Sequence, residues 1–418
     1  MHTGIRVSNV SSKIFFLFAI SYFAYTFISP FASAKGYLFV KTVFSIATLG
    51  LAIIYFSWDA SRQPKTAHIF LLSWTCIAIP AYVGTWNNID EINILLTPLI
   101  GYVAFRGSDL FKKFLAVFFC TNLIFISYEW LVGEYIYTEV IIGIGGAESY
   151  VVDPSKFGDV GFRPKGLLFG TLDAAALCIA FSMIFLDKRL LFLSAAGALL
   201  VNGRLAVILT IVLLLLRIYQ EKNIRHNAIS VIKFAGSVSF TIAIAIFMLF
   251  SFLDDKAIEN LLAVTDLTST SNSARIEFIA TGLAEYSKYP LENLIFGDSG
   301  HFKSIYGNSA ESGVVNLFLN AGLVGVLLYV TPLVFIITKA VRFRELWVFG
   351  TGMAAFAALF VFRFEAGYLR GTLYWFFVFY SIQQLKLKQM ETLRNQPRQG
   401  LAESRRFEPS TAFQDGTT

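Results

Sequence analysis

The sequence predicts an all-α polytopic membrane protein, and three observations carry that reading. Of its 418 residues, 56% are hydrophobic and only 15% charged, where a soluble chain carries about 25% charged residues. Phe alone fills 43 positions. Apolar runs of about 17–25 residues recur along the chain, the length a helix needs to cross about 30 Å of hydrocarbon. The first run ends without a small-x-small cleavage site and others follow it, so it reads as a span and not as a cleavable leader.

Hydropathy marks about twelve spans. They lie near 14–30, 37–58, 67–84, 91–105, 112–131, 166–186, 189–201, 204–219, 230–253, 313–337, 346–362 and 371–385. The fourth and seventh are short, which fits a tilted or broken helix. The loops agree with this assignment under the positive-inside rule. Arg62 and Lys65, Arg106 with Lys112 and Lys113, Lys188 with Arg189, Arg217 with Lys222 and Arg225, and Lys339 with Arg342 and Arg344 fall on alternate loops. Arg6 and Lys13 join them, whereas the short loop TWNNIDE on the opposite side carries no positive charge. Both termini are therefore expected in the cytoplasm. Residues 1–13 form a tail, 14–385 a bundle with long outer loops at about 132–165 and 254–310, and 386–418 a polar tail whose composition predicts disorder.

The net charge of +6 does not point to nucleic acid, because the Lys and Arg sit in short loops and form no aromatic-interleaved patch. Cys76, Cys120 and Cys178 lie inside apolar runs. Without CxxC or zinc spacing they read as small buried apolar residues, and no metal or cofactor is expected.

The charges that topology does not need are the informative ones. Arg163, Arg204, Arg275, Arg363 and Arg370 stand at outer span edges, with Glu129, Asp173, Glu277, Glu311 and Glu365 near them. Arg204 opens the run VNGRLAVILTIVLLLL. It either snorkels to the headgroups or presents a fork of donors to phosphate. Arg163 and Lys165 lie just before another span, as solvated loop charges or as anion ligands. Asp173 is too deep in that span to snorkel easily, so it is paired or faces a cavity.

Arg275 begins a segment with Ile276, Ile279, Leu283 and Tyr286 at helical spacing, a helix expected to lie on the membrane surface or over the bundle. Ser273 or Asn272 is its expected cap. An Arg there opposes the helix dipole unless an anion shares the place. Glu311 precedes the span beginning near 313. It either caps that helix or faces the bundle together with Val315, Phe318, Gly322 and Gly325, the glycine pair suiting close helix packing. Asn316 and Asn320 add a polar pair, and His301 is the sole His of an outer loop.

The order of these elements is R163-P-K-G166, N202-G-R204, S273-A-R275, Y289-P290 with F296-G297, then Glu311 ahead of G322-L-V-G325. In this order the chain resembles the O-antigen polymerase and O-antigen ligase superfamily of bacterial envelope proteins, over about 160–340. The resemblance implies a membrane glycosyltransferase (GT-C-like) bundle in the inner membrane. It also implies transfer of glycans from undecaprenyl pyrophosphate on the outer face, without a nucleotide sugar.

By the same resemblance Arg204 and Arg275 engage the pyrophosphate, with Arg163 less securely aligned. Ligases carry a His where this chain has Glu311, and the departure favours a polymerase of O-antigen, capsule or exopolysaccharide units. Such an enzyme needs negative charge stabilised at the leaving group, which fixed guanidinium groups supply without a metal. It also needs a base for a sugar hydroxyl, for which Glu311 is the first candidate and His301 the second. Lys165, Asp173, Arg363, Glu365 and Arg370 are the further candidates for substrate contact. The expected partners are the lipid-linked glycan, the bilayer and a chain-length regulator. A ligase acting on lipid A-core and a flippase or secondary transporter are the alternatives.

Overall fold

The computed structural model describes residues 9–35, 37–60, 92–137, 140–142, 148–150, 163–168, 170–221, 270–307, 310, 312–364 and 368–395. The expected spans at 67–84 and 230–253, together with Glu311 and Glu365, lie outside these residues, and the count of twelve rests on the sequence alone.

The described chain is nearly all helix. In order come α1 (Asn9–Ala34), α2 (Leu38–Ala60), α3 (Ile92–Arg106) and α4 (Ser108–Val132). After them come two short strands, β1 (Val140–Ile142) and β2 (Glu148–Tyr150), paired antiparallel with Val140 opposite Tyr150. Then follow α5 (Thr171–Ile184), α6 (Lys188–Leu200), α7 (Arg204–Glu221), α8 (Thr270–Tyr286), α9 (Leu291–Phe296), α10 (His301–Tyr306), α11 (Gly313–Phe343), α12 (Leu346–Phe362) and α13 (Tyr368–Asn395). Three stretches are long and apolar enough to cross a membrane, Ser12–Ala32, Ser108–Val132 and Gly313–Phe343, and shorter apolar helices accompany them.

These helices are apolar all round, because one side faces the bundle and the other faces outward. Inward, aromatic rings interlock: Phe119 stacks on Phe181 at 4.0 Å, Phe27 meets Phe118 edge-on at 4.1 Å, and Tyr22 stacks on Tyr368 at 5.6 Å. Outward, α2 exposes Phe39, Val43, Ile46 and Ile54, α4 exposes Val117, Ile124 and Leu131, and α11 exposes Leu327, Val334 and Val341. Patches of that kind are tolerated by lipid and disfavoured by water.

Contacts at the turns separate two ends of the bundle. At one end the Phe15 ring fills the space over Gly107 in the α3–α4 turn, Arg217 Nε donates to the Leu186 carbonyl at 3.0 Å, and Lys388 pairs with Glu345 at 3.2 Å. This end holds the turns that the positive-inside pattern groups together. The Asp187 carboxylate accepts the Arg189 N–H at 2.8 Å and so caps α6. At the other end lie the close of α4, the start of α5, the α6–α7 turn and the α12–α13 link. Gly203 in the α6–α7 turn lies against Ala175 in the first part of α5.

Several expectations need correction. The span expected at 166–186 is helical only from Thr171, because residues 163–168 are held as a non-helical turn in which Gly166 takes φ +62°. Helix α13 continues to Asn395, past the expected boundary of the polar tail. Helix α8 opens at Thr270, so Asn272 and Ser273 lie inside it and Arg275 falls in its second turn, away from the dipole end. Its packed face is Phe278, Ile279 and Tyr286, whereas Ile276 and Leu283 are exposed. Gly322 and Gly325 do not form a helix-packing groove. Gly322 breaks α11 with φ +60° and ψ −161°, a conformation open essentially to glycine alone.

Candidate functional site

The turn before α5 is held by side chains from α4 and from the residues just after it. Glu129, in the last turn of α4 and fully buried, accepts three backbone N–H groups. Its Oε2 receives those of Lys165 and Gly166, both at 2.7 Å, and its Oε1 that of Ile136 at 3.1 Å. Two turns deeper, Asn122 Oδ1 accepts the Leu167 N–H at 2.8 Å. From the segment after α4, the Tyr135 hydroxyl donates to the Arg163 carbonyl at 2.9 Å and the Tyr137 hydroxyl to the Leu168 carbonyl at 2.7 Å.

A carboxylate held by three N–H groups is one of the few ways to bury such a charge beside lipid. Burial, and after it the charge of Glu129, pushes the Tyr135 phenol above its ordinary range, so it stays a donor. The turn therefore presents Arg163 on a backbone held at its own carbonyl and at the N–H groups of Lys165 and Gly166.

Lys165, expected to reach substrate, is instead fully buried, with its ammonium 3.8 Å from the centre of the Tyr137 ring. That contact is a cation–π interaction in a water-poor setting, where such pairs are strongest.

Asp173 and Arg370 meet as an ion pair, with Arg370 Nε 2.8 Å from Asp173 Oδ1 and both side chains largely buried. The expected depth of Asp173 is corrected, since α5 opens at Thr171 and places it in the first turn, but the residue is paired as expected. Arg204 opens α7 next to the Asn202–Gly203 turn, in which Asn202 takes φ +54°. Arg363 closes α12 with φ +52°. Arg163, Lys165, Asp173, Arg204, Arg363 and Arg370 thus all stand at the same end of the bundle.

His301 occupies a second cluster. The chain after α8 doubles back onto α11. The Asp298 N–H donates to the Leu319 carbonyl at 2.8 Å, the Gly300 N–H donates to Asn320 Oδ1 at 3.1 Å, and the backbone at Gly297 lies directly against Asn320 and Ala321. The segment leading to His301 therefore folds back on α11 about two turns into that helix.

The His301 ring lies between two carboxylates, Nδ1 at 3.8 Å from Asp298 Oδ2 and Nε2 at 4.0 Å from Glu285 Oε1. Glu285 also accepts from Lys288 Nζ at 2.9 Å and from the Tyr306 hydroxyl at 3.3 Å, and these bonds, Lys288 first, hold its carboxyl below the ordinary range. Beneath it, Tyr289, Phe302, Ala310, Val315 and Leu319 form a small separate core. Arg275 contributes its backbone to α8.

Sequence reading undervalued Glu129, Tyr135 and Asn122. The usable signal was Glu129 itself, a carboxylate at the end of an apolar run that no neighbouring basic residue balances in sequence. Comparison of the chain with protein-family models and with curated proteins gave no match. The functional reading accordingly rests on the residues and their arrangement.

Proposed function

We propose that this chain polymerises lipid-linked oligosaccharide repeat units, moving a growing glycan from undecaprenyl pyrophosphate onto a sugar hydroxyl of another such unit, at the outer face of a bacterial inner membrane. The observation that carries the reading is the gathering of Arg163, Arg204 and Arg363 at one end of an apolar helical bundle, beside the Asp173–Arg370 pair. A substrate with a diphosphate head and a long hydrocarbon tail matches that distribution, the head at the cationic end and the tail along the lipid-facing helices.

The chemistry follows from the groups available. The glycosidic bond to the departing diphosphate breaks as the acceptor oxygen attacks the anomeric carbon. Negative charge then grows on the diphosphate, where preorganised guanidinium groups act most strongly in a site shielded from water. Arg204, at the mouth of α7, and Arg163, on its braced turn, are the donors suited to that work. The acceptor proton needs a base, and Glu311 and His301 keep the roles expected of them. A ligase would share the donor site and differ in acceptor.

Transport is the second reading, favoured by the break in α11, since interrupted helices mark substrate sites in many transporters. The break here is filled by the protein's own backbone at Ile295–Gly297, and the cations gather at an end of the bundle and not at its middle.

The deciding experiment uses the purified protein in detergent with one synthetic undecaprenyl-pyrophosphate-linked repeat unit and no nucleotide or other protein. A ladder of products is expected from wild type, lost in Arg204→Ala, Arg275→Ala and Glu311→Gln. A folded wild type that gives no ladder, alone or with added lipid A-core, would move the assignment to transport; product formed only with lipid A-core would make it a ligase.

A further inference from the structure

We infer that Glu129 and Tyr135 are positioning residues that aim Arg163 at the diphosphate, an inference that rests on the proposed reading of this end of the bundle. Arg163 lies outside any helix, and an arginine on an unsupported loop loses much side-chain and backbone entropy when it engages an anion. Here the loop is already ordered. The Arg163 carbonyl is held by the Tyr135 hydroxyl, and two residues on, the N–H groups of Lys165 and Gly166 converge on a single oxygen of Glu129.

Pro164 lies between these two anchors and fixes its own φ. The anchors come from one continuous stretch, the end of α4 and the residues just after it, so they move together. Gly166, at φ +62°, packs against Asn122, and a side chain there would overlap the amide of that residue. The whole device leaves Arg163 half-buried at the rim while Lys165 turns inward onto Tyr137.

Tyr137 supplies the control the inference needs. Its hydroxyl also braces the segment, but at Leu168, beyond Gly166 and away from Arg163. If the tyrosines only stabilised the fold, losing either hydroxyl would affect anion binding alike. If Tyr135 positions Arg163, its loss weighs more.

The test is binding of inorganic pyrophosphate to the purified full chain by calorimetry, with thermal unfolding measured on the same samples. Arg163→Ala is expected to weaken binding most. Tyr135→Phe should weaken it about tenfold, the equivalent of one hydrogen bond at the upper end of its usual range, and Tyr137→Phe by no more than about threefold. The two phenylalanine variants should unfold at similar temperatures.

Glu129→Gln, if it folds, should weaken binding at least as much as Tyr135→Phe. If it does not fold, the tyrosine pair still decides. Equal weakening by Tyr135→Phe and Tyr137→Phe, or none by Tyr135→Phe, overturns the inference while leaving the anion site intact. Failure of wild type to bind pyrophosphate overturns the anion site itself and the inference with it.

Discussion

Arg370 Nε lies 2.8 Å from Asp173 Oδ1 in an ion pair that ties the first turn of the last helix to the first turn of α5. The two residues are nearly two hundred positions apart in sequence, and their pairing neutralises a carboxylate set into an apolar helix. The side chains are 13% and 18% exposed. The cost of breaking the pair should therefore fall between that of an exposed pair, about 0–1 kcal/mol, and that of a buried one, about 3–5 kcal/mol. Arg370→Ala is expected to lower stability by about 1–3 kcal/mol on that interpolation, read as a drop in thermal unfolding temperature in detergent. The charge-exchanged variant Asp173→Arg/Arg370→Asp should recover part of the loss. If it is no better than the poorer single variant, the two groups do not act on each other.

The docking of the outer segment on α11 predicts a contrast among glycines. Gly133, closing α4, and Gly297, closing α9, both have positive φ, at +76° and +80°. Gly133 faces open space, whereas a Cβ at Gly297 would overlap the backbone of Asn320 and Ala321. Gly133→Ala should cost only the left-handed penalty, about 1–2 kcal/mol. Gly297→Ala adds a backbone collision and a conformation reserved for glycine, and should detach the segment. Limited proteolysis reads this directly: new cleavage within 290–307 is expected for Gly297→Ala and not for Gly133→Ala. Equal resistance in both would mean that the segment does not rest on α11 as described.

These contrasts also mark where sequence reading stops. Span positions were legible because lipid and core both demand apolar side chains over a fixed length, and the described helices from α1 to α7 begin and end within about five residues of the expected limits, α1 and α5 differing most. What hydropathy cannot encode is a polar group turned inward to hold backbone. Glu129 looks, in sequence, like a charge at a helix end and Asn122 like an isolated amide in mid-span, and only their three-dimensional reach to residues 165–167 gives them a role. Gly322 failed for a related reason. Gly-x-x-Gly spacing within an apolar run fits close helix packing and a helix break equally well, and the choice is made by Ile295–Gly297, which pack against it from outside the helix. The candidate site was legible as a set of charges at one end, and its internal pairings were not.

The α8–α10 cluster predicts an acid-side sensitivity. Lys288, with Tyr306, holds the Glu285 carboxyl below its ordinary value. A carboxyl depressed in the folded state stabilises the fold above its unfolded value of about 4.3 and loses that contribution as pH falls through the folded value. Amide hydrogen exchange in α9 and α10, corrected for its intrinsic pH dependence, should therefore accelerate as pH falls below about 4.3. Glu285→Gln should flatten that acceleration at the cost of faster exchange at neutral pH. An unchanged profile in the variant would remove Glu285 from the contacts that hold the segment down.

Lys165 and Tyr137 give the most stringent check on the braced turn. An ammonium buried beside an aromatic face is worth about 2 kcal/mol or more when desolvated, provided it lies over the ring, as at the 3.8 Å found here. Single substitutions cannot isolate that value, because Tyr137→Leu also removes the hydroxyl bond to Leu168 and Lys165→Met also removes a buried charge. A double-mutant cycle can, since each of those side effects enters one single variant and the double variant alike and cancels. Unfolding free energies of wild type, Tyr137→Leu, Lys165→Met and the double variant should give a coupling of about 1–2 kcal/mol. A coupling near zero would mean that the ammonium leaves the ring in solution, and Lys165 would return to the cations available at the rim, where pyrophosphate affinity of Lys165→Met would then fall along with that of Arg163→Ala.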